Sequence, residues 1–93
     1  TYAQHVVAVY RRAWQPLIPK NLARTRIAEV SVTIDRTGRV ISARIIRRTG
    51  DAALDKSVQR ALDKVRSVGK SFPSGSRDAK RTFILDFTPI IGG

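Results

Sequence analysis

The chain has 93 residues, with 18 Lys+Arg against 7 Asp+Glu for a formal net charge of +11. It contains one histidine and no cysteine or methionine, which excludes disulfide and thiolate–metal frameworks but leaves the compartment open. This length holds one core and is too short for two, and no stretch is apolar for long enough to span a bilayer or patterned as a signal peptide. Residues 1–93 are therefore expected to form a single domain. The start at Thr1, already inside a helical pattern, points to a fragment of a longer protein.

In YAQHVVAVYRRAW, Tyr2, Val6, Val9, Tyr10 and Ala13 fall on one helical stripe, and Arg11 and Arg12 suit the negative pole of a helix end. QPLIPKN, with two prolines, cannot continue the helix. IAEVSVTID alternates, with Ala28, Val30, Val32 and Ile34 on one face and Glu29, Ser31, Thr33 and Asp35 on the other. After the Arg36–Arg39 turn, where Gly38 tolerates positive φ, VISARIIRR resumes with Ile41, Ala43 and Ile45 on its apolar face. These two strands form a hairpin. Asp51 is placed as the N-cap of a helix whose stripe is Leu54, Val58, Ala61, Leu62 and Val65.

After Gly69 comes a turn-rich loop. RTFILDF follows as a third strand with Phe83, Leu85 and Phe87 on one face, and Pro89 ends it. The expected fold is α+β, in the order α-β-β-α-β. Its three-stranded antiparallel sheet has the order 2-1-3, and both helices cover the face carrying Val30, Val32, Ile34, Ile41, Ile45, Phe83, Leu85 and Phe87.

Chemical groups are sparse, and no catalytic, cofactor or metal site is expected. His5 lies off the apolar stripe and reads as a surface or boundary histidine. Asp51 and Asp55 share a helix face, but a helix N-terminus favours both ionised forms, whereas an acid/base pair needs one carboxyl with a raised pKa. Thr49-Gly50-Asp51 lacks the glycine pattern of a phosphate loop. Hence the enzyme reading is rejected.

The positive charge leaves a basic nucleic-acid-binding module as the alternative. Base recognition is not expected, because Phe83 and Phe87 share the core parity and the open face offers no stacking platform. One feature points to protein binding. In the 2-1-3 order the third strand is an edge with no proline or inward charge before Pro89. Such an edge is either covered by another segment or a second copy of the chain, or used to accept an extended peptide.

VSVTIDRTGRVISARIIRRTGDAALDKSVQRAL resembles the strand–turn–strand–helix signature of the TonB and TolA C-terminal domains. Asp35, Gly38 and Val40 fit its D-x-x-G-x-V element. Thr49, Gly50, Asp51, Leu54, Asp55 and Val58 fit the turn and helix start that follow. FILDFTP is similar to the family's last strand, so the resemblance covers about residues 2–89. The helix ending near Trp14 is similar to TolA, and VRSVGKSFP departs from the W-x-F/Y-x-P pattern of TonB, so the branch stays open.

The resemblance implies a periplasmic domain joined to the inner membrane through a missing N-terminal part, where a proton-channel complex energises it. It implies an outer-membrane TonB-dependent transporter or Tol-type envelope proteins as partners, and no specific nucleic acid. In TonB the partner's box peptide adds beside the last strand. Carried over, that strand is Arg81, Thr82, Phe83, Ile84, Leu85, Asp86, Phe87 and Thr88.

Overall fold

A computed structural model of the chain describes residues 1–14 and 27–88. The proline-containing connection after Trp14 and the strand stop at Pro89 lie outside the described residues. The elements run α1 (Tyr2–Ala13), β1 (Ala28–Asp35), β2 (Val40–Arg47), α2 (Ala52–Lys64) and β3 (Lys80–Phe87). They form one three-stranded sheet in the order β2-β1-β3, antiparallel at both pairings, as the alternation and connections predict.

β1 is the central strand, and its alternation is complete: Ala28, Val30, Val32 and Ile34 are fully buried. α1 lies over β3 and α2 over β2 on the same face, touching each other between. One core results, in which Tyr2, Val6 and Tyr10 of α1 meet Val58, Ala61 and Leu62 of α2 over the central strand. Val68 and Phe72, in the segment after α2, also belong to this core. Phe72 comes from the turn-rich loop expected after Gly69, and Val68 immediately precedes that glycine.

The ends of the helices follow from local chemistry. Thr1 and Gln4 form a reciprocal capping box on α1. The Asp51 carboxylate accepts from the Leu54 amide at 2.8 Å and caps α2.

β2 departs from the expected alternation. Its register against β1 slips between Thr33 and Ile34 and again between Glu29 and Val30. Ser42 faces Thr33 and Val40 faces Ile34, so Ile41 is the extra residue of a bulge; Ile46 is the extra residue of the second. Ile41 is consequently 56% exposed and does not join the core, contrary to its place in the predicted face. Val40 takes that position and packs against the core with Ala43 and Ile45.

Candidate functional site

The residues that look most chemical are committed to holding the backbone. Thr49 donates to the Asp55 carboxylate through its amide (2.9 Å) and its hydroxyl (2.7 Å), tying the end of β2 to the first turn of α2. Asp55 and Asp51 therefore fix the strand-to-helix turn between them.

Asp35 does the same for the hairpin: its Oδ1 accepts from the Thr37 amide and hydroxyl and from the Arg39 amide. The Thr37 hydroxyl bond is the largest influence holding this carboxyl below its ordinary value; slight burial opposes it, and the two amide bonds and the Arg39 charge assist. His5 donates from Nε2 to the Val68 carbonyl at 2.7 Å, and the Tyr2 hydroxyl donates to the Lys70 carbonyl at 2.6 Å. Among the described residues no group of three His or acidic side chains could hold a metal ion.

These bonds belong to a clasp around the hairpin. The segment after α2 runs beside the 36–40 turn: the Val40 amide donates to the Arg66 carbonyl, the Val68 amide to Gly38 and the Phe72 amide to Arg36. Gly38 is required here twice over. Its φ is +93°, and a Cβ would lie 2.5 Å from the Lys70 carbonyl oxygen. The clasp covers the outer side of β2 at its beginning, and the two bulges interrupt the rest.

β3 is different. All eight of its residues, Lys80 to Phe87, pair in unbroken register with Asp35 to Ala28. No described strand lies on its other side. The alternation sorts the predicted site residues into two rows. Arg81, Phe83, Leu85 and Phe87 face the helices, while Thr82, Ile84 and Asp86 lie on the open face, where Ile84 is 58% exposed. Arg81 is therefore an inward charge at the start of the strand, contrary to the expectation that β3 has none, because it shares the parity of Phe83 and lies over the Phe72 ring. Thr82 sits opposite Thr33 with their hydroxyls 2.9 Å apart, and Asp86 sits opposite Glu29. Thr88 is exposed, one residue past the strand.

The two ends of this strand have different surroundings. At its start, the Arg81 guanidinium pairs with Asp78 at 2.7 Å and lies 4.8 Å over the Phe72 ring. That is the one ion pair among the described residues, so nearly all the described cations remain unpaired. At its end, Phe87 packs edge-to-face against Trp14 at 5.1 Å and Tyr10 at 6.3 Å. The Trp14 indole N–H donates to the Ser57 hydroxyl at 2.9 Å, which itself donates to the Leu54 carbonyl. Trp14 thereby joins α1, α2 and β3.

Beside this end of β3 is a groove of about 330 Å³, walled by Val7, Tyr10, Arg11 and Trp14 of the α1 region and by residues 85–88. No β1 residue lines it, so it opens on the outer side of the strand. A shallower trough over Ala3 and Ala8 shares Val7 and Arg11 with it, extending the surface along α1. Sequence reasoning identified the strand but missed these helix residues. Val7 and Arg11, spaced i, i+4 on the flank of the buried stripe, are the signal that points to them.

Two helices on one face of a three-stranded antiparallel sheet, with one edge guarded and the other bordered by a groove and by no described strand, define a small α+β domain. The chain belongs to the TonB C-terminal family, whose model matches residues 1–87. No curated protein sequence matches it. Among solved structures it is similar to TolAIII in the solution NMR structure of TolAIII bound to a peptide derived from the N-terminus of TolB. That similarity has a TM-score of 0.64 at 22% identity and covers 96% of this chain and 73% of the other.

Proposed function

We propose that this is a non-enzymatic, periplasmic interaction domain that takes an extended segment of an envelope protein as a fourth strand beside β3. The observation that supports it is the unbroken register of Lys80–Phe87 along an edge that no described strand covers. Main-chain bonds along such an edge supply affinity, and the side chains that alternate into the groove supply selectivity. The family supports the coarser reading of a TonB/TolA-type domain, and the TolAIII structure shows that a domain of this fold takes a peptide.

The partner is an outer-membrane TonB-dependent transporter or a Tol-type envelope protein, and the domain transmits force derived from the proton motive force. It receives that force through an inner-membrane anchor elsewhere in the full protein. A strand pulled along its axis shares tension among several hydrogen bonds at once, so a modest affinity is enough to carry a pull.

Titration of the 15N-labelled domain with a TonB-box peptide and a TolB N-terminal peptide tests this reading. Shifts confined to Arg81–Thr88 and the α1 flank are expected with at least one of them. Duplex DNA titrated across a salt series is the counter-experiment. Tight binding with a steep salt slope and no peptide effect would establish a nucleic-acid module instead.

A further inference from the structure

One residue that lines the groove beside β3, Tyr10, carries a polar group that the fold leaves without a partner. Tyr10 is 1% exposed, and its hydroxyl is the one buried side-chain polar atom among the described residues that makes no hydrogen bond. A buried donor in this condition is costly, and native structures rarely keep one without reason. By contrast, the other tyrosine, Tyr2, donates to the Lys70 carbonyl. Tyr10 lines the groove together with Arg11, an exposed cation that makes no ion pair with a described residue. Val7, Trp14, Leu85 and Phe87 give the groove apolar walls, and Asp86 and Thr88 complete its lining.

We infer that the groove selects a segment carrying a carboxylate side chain, which the Tyr10 hydroxyl and the Arg11 guanidinium bind while flanking apolar side chains fill the walls. This rests on the proposed strand addition and specifies the chemistry of the strand. Burial pushes the Tyr10 pKa up to about 12, so the phenol keeps its proton and acts as a donor at any physiological pH. A donor and a cation on one apolar wall match an acceptor that is ionised, because hydrogen bonds to charged groups are stronger than those between neutral ones. The net charge of +11 favours the same guest over long range. Asp86 also borders the groove, but it lies between two inward residues of β3 and its exposed side chain belongs to the open face.

The test uses eight-residue peptides, acetylated and amidated, in which threonine and valine alternate and the fourth residue is glutamate, glutamine or leucine. Binding is followed by chemical shifts of the β3 amides, alongside the thermal stability of the domain and of its Tyr10→Phe and Arg11→Gln variants. The glutamate peptide is expected to bind roughly tenfold tighter than the leucine peptide, with glutamine between them.

Tyr10→Phe should remove most of that preference while leaving the free domain equally stable or more so, since an unsatisfied buried hydroxyl is lost. These opposite signs separate a binding role from a structural one. Arg11→Gln should weaken the glutamate peptide alone, about threefold. Equal binding of the glutamate and leucine peptides, or an unchanged preference in Tyr10→Phe, would overturn the inference and leave strand addition standing. If no peptide, including the TolB segment, moves any β3 amide, strand addition itself fails.

Discussion

The two edges of the sheet are built on opposite principles. β2 is interrupted twice, at Ile41 and Ile46, and its first residue, Val40, bonds outward to the segment after α2. Bulges and covering segments are devices by which sheets avoid pairing with other chains. Among the described residues β3 has neither: it is straight in register for eight residues, carries no bulge and faces a groove with apolar walls. Both strands are outer strands of one small sheet. The unguarded edge is therefore the informative one. Charge reinforces the difference, because the exposed cations Arg44 and Arg47 lie on β2, whereas residues 85–88 at the groove end of β3 include no cation.

Removing the guard on β2 is the strongest way to break this contrast. Gly38→Ala forces a Cβ against the Lys70 carbonyl at a φ that L residues avoid, so the clasp must open. A loss of about 3 kcal/mol by urea denaturation is expected, with self-association visible by sedimentation once the β2 edge is released.

The bulge itself is tested by a matched pair. Ile45→Ser should cost about 2 kcal/mol, because Ile45 packs on the core, whereas Ile41→Ser should change stability by less than about 0.5 kcal/mol. Equal costs would mean that β2 is not slipped as described.

On the β3 side, Trp14→Phe keeps a ring against Phe87 but loses the bond to Ser57, at an expected cost of about 1 kcal/mol. The peptide affinity should fall with it, since Trp14 walls the groove.

The smallest effect concerns the hairpin. The carboxyl of Asp35 titrates below its ordinary value in the folded domain. Its stabilising contribution is thus complete above the ordinary aspartate range and lost as pH falls through the lowered folded value. Asp35→Asn should flatten the acid limb of the stability curve without altering peptide binding at neutral pH.

The parts of this molecule that are local in the chain were readable from it. The alternation of IAEVSVTID, the glycine turn, the Asp51 cap and the stripe of α2 each depend on neighbours within a few residues, and together they imply the sheet order and the open third strand. What was not readable depends on contacts between distant segments. Alternation through VISARIIRR assigns Ile41 inward, because a bulge is set by how β2 sits on β1 and leaves no mark in hydrophobicity. Val68 and Phe72 look like loop residues until the hairpin turn is placed against them.

The groove exists only because α1 lies over β3. Tyr10 reads as an ordinary core residue, and its unpartnered hydroxyl is invisible without the packing. The motif around Thr49, Asp51 and Asp55, which the sequence assigns to a strand end and a capped helix start, is the knot that fixes that turn.

The central claim, that β3 is the one free edge of the described sheet and receives a strand, is tested most directly by amide hydrogen exchange along β2 and β3, with and without the TolB N-terminal peptide. Alternate amides of β3 should exchange rapidly in the free domain and become protected when the peptide is added, while those of β2 stay unchanged. Protection of every β3 amide before any peptide is added, or protection gained along β2 instead, would contradict the account.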